Sequence, residues 1–119
     1  MSNEPILSAH FFLTSNGKEP VRDWLKEIDR ENRKIIGEDI KLVQFRWPLG
    51  MPLVRKMEAD LWEVRSKLSN NTIARTFFAV TNKQMILLHG IIKKSEKTPK
   101  KDLDLARTRK IQWHNEVKK

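Results

Sequence analysis

The stretch Leu61–Lys94, LWEVRSKLSNNTIARTFFAVTNKQMILLHGIIKK, decides how this chain folds. From Leu61 to Leu68 the residues alternate. Trp62, Val64 and Leu68 fall on one face; Glu63, Arg65 and Lys67 fall on the other. A period of two marks a half-buried strand. Ser69-Asn70-Asn71 reads as a turn, and Thr72 to Thr81 is dense in β-branched and aromatic residues, the composition of a second strand. Thr81-Asn82-Lys83 turns again. Gln84 to Lys94 is apolar enough to be a central strand covered on both faces. Turns this short join only antiparallel neighbours, so the stretch predicts an antiparallel meander.

Outward from the meander, Ile6 to Leu13 is apolar and bounded by Pro5 and by Ser15-Asn16-Gly17, which predicts a first strand. Pro20 suits the first turn of a helix. Val21, Trp24, Leu25 and Ile28 then recur at i, i+3, i+4 and i+7 on one helical face. Ile36, Ile40 and Val43, with Leu42 beside them, mark a second helix that contains Gly37 and ends at Pro48, Gly50 and Pro52. After the meander, Thr98 as cap and Pro99 as first residue open a last helix. Leu103, Ala106, Lys110, Trp113 and Val117 share one of its sides. The expected fold is α+β, a single domain over residues 1–119 in the order β-α-α-β-β-β-α, with the meander sheet packed against helices.

Charge is distributed unevenly. From Lys83 to Lys119, eleven Lys and Arg stand against four Asp and Glu, a net of +7 out of +9 for the whole chain. Lys93, Lys94, Lys97, Lys100 and Lys101 crowd the start of the last helix. Cations there oppose the helix dipole, at a cost of roughly a few tenths of a kcal/mol each. Free helix amides already attract anions. A segment that adds lysines to such a place is arranged for a polyanion, and RNA phosphate leads. With no cysteine, disulfides, thiolate chemistry and zinc–thiolate sites are excluded. The residues Met1 to Pro5 lack the basic-then-apolar order of a signal peptide, and apolar runs such as Met85 to Leu88 are too short to span a bilayer. A cytoplasmic protein without membrane contact is expected.

Several residues could carry chemistry. Arg65 and Arg75 lie on neighbouring strands, on the same side of the sheet if counted from the turn, and guanidinium forks suit phosphate oxygens. The rival reading makes both ordinary solvent-facing residues paired with Glu63 or another acid. Lys93 and Lys94 alternate to opposite faces, so at most one joins the arginines. His89 reads first as a buried or half-buried histidine held by a backbone partner, and second as an acid or base. Gly90 marks a bulge or a close approach by another chain. Trp47 reads as a loop plug before a base-stacking platform. The four glycines are scattered, so no phosphate loop forms, and neither metal-ligand spacing nor a nucleophile motif occurs. An enzyme built from this chain would need no metal or other cofactor.

The blocks Leu61-Trp62-Glu63-Val64-Arg65, Ile73-Ala74-Arg75-Thr76-Phe77-Phe78, Leu87-Leu88-His89-Gly90 and Ile92-Lys93-Lys94-Ser95-Glu96-Lys97-Thr98-Pro99, in this order, resemble a known family. So does the preceding Pro52-Leu53-Val54-Arg55-Lys56-Met57. They resemble the phage-derived Gp49-like, or HigB-like, toxins of the RelE/ParE superfamily, from Val21 onward. That resemblance implies a toxin of a type II toxin–antitoxin pair, an mRNA endonuclease acting in the ribosomal A site. It implies inhibition by a HigA-like antitoxin, usually with an Xre-type helix-turn-helix domain. The family's basic residues correspond to Arg65, Arg75, Lys93, Lys94 and Lys97. Arg65 and Arg75 would stabilise the phosphorane, Lys93 or Lys94 would act as acid or base, and Glu63 or His89 would stand in reserve. Lys97, Lys100, Lys101, Arg55, Lys56 and Lys67 would bind RNA. Unlike the RelE pattern, the chain has no tyrosine. Two alternatives stand beside this: a ParE-like gyrase inhibitor of the same fold, and a non-catalytic phage nucleic-acid-binding protein.

Overall fold

A computed structural model describes residues 4–95 and 97–117, with the side chain of Val117 outside the described residues. The elements run β1 (Ser8–Phe11), α1 (Pro20–Glu27), α2 (Arg30–Arg46), β2 (Val54–Glu58), β3 (Leu61–Lys67), β4 (Ile73–Thr81), β5 (Gln84–Lys93) and α3 (Lys100–Val117). The predicted order is present, with β2 as an additional strand ahead of the meander. The five strands lie in the order β1-β5-β4-β3-β2. Strands β3 to β5 form the expected antiparallel meander, and β2 pairs antiparallel to β3. The sheet as a whole is mixed, because β1 pairs parallel to β5, with Ser8 opposite Gln84 and Phe11 opposite Leu87. The correction has a simple cause: β1 reaches its partner only after two helices and three strands, and a turn rule governs neighbours in sequence alone.

Alternation builds two apolar layers. Val64, Ala74, Phe78, Met85 and Leu87 pack with Val21, Ile36, Ile40 and Val43 of α1 and α2 on one face. Leu42 lies outside that stripe and is exposed. On the opposite face Leu61, Phe77, Ala79, Ile86 and Leu88 pack with Ala106 of α3. Leu103 and Trp113 join them, and Lys110 donates to the Ala59 carbonyl, so three of the four described positions of the α3 stripe are apolar contacts. Trp47 does plug a gap, edge-on to Trp62 at 5.0 Å and to Phe78 at 5.7 Å. Asp29 caps α2 by accepting from the Asn32 amide at 3.1 Å. The Asn32 side-chain oxygen Oδ1 in turn accepts from Ser69 N and Oγ, tying α2 to the β3–β4 turn.

The β4–β5 pair holds the feature that places the site. The two-residue turn Asn82-Lys83 has positive φ at both positions, as a tight hairpin requires. Further along, Phe78 faces Leu87 while Phe77 faces His89, so Leu88 is an extra residue in β5. That bulge swaps the faces of everything after it. Ile92 now meets the α1/α2 core, Ile91 the α3 core, and Gly90 meets Trp24. A Cβ at Gly90 would sit 2.2 Å from Trp24 Cε3, which explains the glycine.

Candidate nucleic-acid interface

Arg65 and Arg75 are direct cross-strand partners, as the count from the turn suggested. Like charges in that relation repel. Glu63, one step along the same face, resolves the conflict. Its Oε1 accepts from Arg65 Nη1 at 3.3 Å and lies 3.9 Å from Arg75 Nε. The rival reading was therefore right about the acid and wrong about the solvent. The side chains of Glu63 and Arg75 are 0% exposed, and that of Arg65 is 10% exposed. Arg75 also donates from Nη2 to the Ser95 carbonyl, anchoring the chain after β5. Thr98 Oγ1 donates to Glu63 Oε2 at 3.0 Å. Thr98 thus spends its proton on the sheet, and Pro99 takes the capping place instead, its carbonyl accepting from Leu103 N at 3.2 Å.

Beside this cluster a cleft of about 450 Å³ is lined by Met51, Arg55, Met57, Arg65, Lys97 and Thr98. Arg55 faces Glu63 across the β2–β3 register, which carries it to the same side of the sheet. Lys67 and Lys93 both pair with Ile73 and share that side, so Lys93 is the lysine that joins the arginines. Lys94 follows the strand; Lys100 and Lys101 open α3; all three are exposed. Lys56 pairs with Trp62 and belongs to the other face. Of the expected RNA-binding residues, Arg55 and Lys97 therefore line the cleft, joined there by Arg65. Thr98, Met51 and Met57 line it without having been expected. Thr98 was legible only as a cap, and neither the exposed Met51 nor the half-buried Met57 carries a signal of its own.

His89 sits elsewhere, beneath α3. It stacks on Phe77 at 5.7 Å between centroids. Its Nε2 lies 2.8 Å from Asp102 Oδ1, and Arg109 Nη1 approaches Nδ1 at 3.4 Å. These contacts assign one tautomer: Nε2–H donates to Asp102, and Nδ1 accepts from Arg109. Burial lowers His89 below its ordinary value of 6.5, and the Asp102 hydrogen bond opposes the shift. The partner is a side chain, where a backbone group was expected. Arg109 also donates to the Leu88 carbonyl at 2.9 Å, and burial lowers its pKa from the guanidinium norm. Arg107 forks onto Glu58 at 2.8 and 3.0 Å, clamping α3 to β2. Asp102 and Arg109 escaped sequence reading, although an acid in the first turn of a helix that follows a histidine-bearing strand is a usable signal.

A larger cavity, about 800 Å³, lies between the segment after β1 and the end of α3. Its lining, which includes Phe11, Phe12, Leu13 and Trp113, holds no Lys or Arg. Charge, not volume, singles out the smaller cleft. Among the described residues no cluster of His, Asp and Glu is placed to hold a metal, and no helix is long and apolar enough to cross a membrane.

An α+β chain with a mixed sheet, helices on both faces and a cationic cleft at one end is the class this geometry defines. The family model described as phage-derived protein Gp49-like (DUF891) matches residues 23–110, and the chain belongs to that family. The family is toxin-like, of RelE/HigB type in general. A search of curated proteins finds no match.

Proposed function

We propose that this protein is the toxin of a type II toxin–antitoxin pair and cleaves mRNA on the ribosome without a metal. The observation that carries the reading is the cleft. Arg55, Arg65 and Lys97 converge on one concave surface with two methionines, and β3 supplies a buried carboxylate that fixes Arg65. Cations bind the sugar–phosphate backbone, and a guanidinium held in place stabilises charge that develops on phosphorus. The 2′-hydroxyl attacks the adjacent phosphate, leaving a 2′,3′-cyclic phosphate and a 5′-hydroxyl. Arg65 steadies the phosphorane; Arg55 and Lys97 hold neighbouring phosphates. Lys93, on the same face, accepts or returns the proton, with Lys94 as its neighbour in sequence. Arg75 and Glu63 are too deeply buried to touch RNA and act by positioning. His89, closed in by Phe77, Asp102 and Arg109, belongs to the α3 interface.

The partners in this reading are translating ribosomes with mRNA, and a cognate HigA-like antitoxin with an Xre-type helix-turn-helix domain. Ribosomal orientation supplies much of the rate, so naked RNA is cut poorly. The test is induced expression of wild-type protein and of the Arg55→Ala/Lys97→Ala variant, with mRNA 5′ ends mapped on translating ribosomes and gyrase supercoiling assayed in parallel. Both replaced side chains are exposed, so melting temperature should hold while growth arrest and new 5′ ends are lost. Full toxicity from the folded variant would remove the cleft from the mechanism. Intact mRNA with inhibited supercoiling would instead select the ParE-like reading. Absence of growth arrest from the wild type would select a non-catalytic nucleic-acid-binding protein.

A further inference from the structure

We infer that Thr98 is the group by which the cleft distinguishes RNA from DNA, its hydroxyl oxygen accepting a hydrogen bond from a ribose 2′-hydroxyl. The inference rests on reading the cleft as a nucleic-acid site, and it concerns a residue that carries no role in the mechanism above.

A threonine hydroxyl has one proton and two lone pairs. Thr98 gives that proton to Glu63 Oε2 at 3.0 Å. Glu63 is a carboxylate held beside two guanidiniums, so it accepts and has nothing to give back. Being fully buried, it has no solvent to turn towards. What Thr98 offers the cleft is therefore an acceptor. Among the described residues, the other polar side chains of the lining, Arg55, Arg65 and Lys97, are donors only. Phosphate oxygens accept and go to those cations. A ligand group that meets Thr98 has to donate.

In a sugar–phosphate backbone the donor next to a phosphate is the 2′-hydroxyl, and DNA lacks it. Glu63 holds Arg65 by Oε1 and Thr98 by Oε2. Donor and acceptor on the wall are thus one rigid unit, as the 2′-hydroxyl and the adjacent phosphate are one unit in RNA. A phosphate bound in the other orientation would set oxygen against oxygen at Thr98.

The test measures binding of a short single-stranded oligonucleotide by fluorescence anisotropy at fixed low salt, in RNA, all-2′-deoxy and all-2′-O-methyl forms. The methylated form keeps the oxygen and loses the proton. Wild type should bind RNA about three- to tenfold more tightly than either analogue, the worth of one hydrogen bond. In Thr98→Val the ratio of RNA to deoxy affinity should fall to about one, the worth of that hydrogen bond being lost; Thr98→Ser should restore the preference. Equal binding of all three forms by wild type overturns the inference. So does a preference that survives in Thr98→Val, or a failure to bind any form. Should the valine variant not fold, wild type with the methylated form and Thr98→Ser still decide. A Thr98-dependent preference in a protein that leaves mRNA intact on ribosomes would sink the nuclease reading alone. Cleavage without any preference would sink this inference alone.

Discussion

The face of the sheet that α3 covers has two ends, and they are built on opposite principles. At one end Phe77, Ala79, Ile86 and Leu88 meet Ala106 of α3, and shape does the work. At the other, further along β4 and the neighbouring β3, the same alternation delivers Glu63, Arg65 and Arg75, and charge does the work. Both ends are buried, so inaccessibility does not separate them. The sealed end satisfies itself within the fold. The cationic end sets two guanidiniums beside the Glu63 carboxylate and has Arg55 and Lys97 facing a cleft. A cleft lined by three cations suits an anion, and that difference is what marks the site.

The largest test of this comparison asks whether the polar end bears as much stability as the apolar one. Arg75→Ala strips a fully buried partner from Glu63 and the bond to Ser95. It should cost about 3–5 kcal/mol, as much as Phe77→Ala at the sealed end, about 3–5 kcal/mol. Urea unfolding of both variants decides, and a loss under about 1 kcal/mol for Arg75→Ala would show that its pairing is ornamental to the fold. For the same reason Arg75→Ala is a poor probe of chemistry.

Smaller in effect is Gly90→Ala, which pushes a methyl group into Trp24 just where the bulge re-aims β5. Overpacking of this kind should cost about 1–3 kcal/mol. Indole fluorescence should report the disturbance of Trp24, and an unchanged urea midpoint would mean that the sheet gives way freely there.

The smallest effect is the pH response of the sealed end. Burial holds His89 below 6.5 in the folded state. The unfolded chain therefore takes up its proton first as pH falls. The contribution of neutral His89 is complete above 6.5 and shrinks below it, until the folded histidine protonates too. His89→Gln should flatten that part of the decline in melting temperature between about pH 8 and about pH 5. Parallel curves for the two proteins would place the acid response elsewhere.

Much of this was legible in the sequence, and the rest failed for identifiable reasons. Local periodicity located α1, α2 and the three meander strands, since each buries a face that repeats at its own period. Strand β2 escaped because Val54 and Met57, its apolar contributors, are three residues apart, astride a register shift beside β3. The parallel partner of β1 escaped because pairing across more than half the chain leaves no local trace. In the site, Arg65 with Arg75 and the arrival of one lysine beside them followed from alternation. The burial of Arg75 did not, because an arginine in a strand looks the same whether it faces water or a carboxylate. The role of Thr98 was hidden behind the stronger statistical habit of threonine before a helix.

The parallel pairing of Ser8–Phe11 with Gln84–Leu87 has a consequence for biosynthesis. The strand made first is bonded to the strand made last, so a nascent chain carries Ser8–Phe11 without its partner until most of the polypeptide has been translated. Long-range closure of this kind comes late and slowly. Lys97 and Thr98 emerge later still, so the cleft is finished only after the sheet can close, and a prematurely terminated fragment ending before Gln84 would have neither.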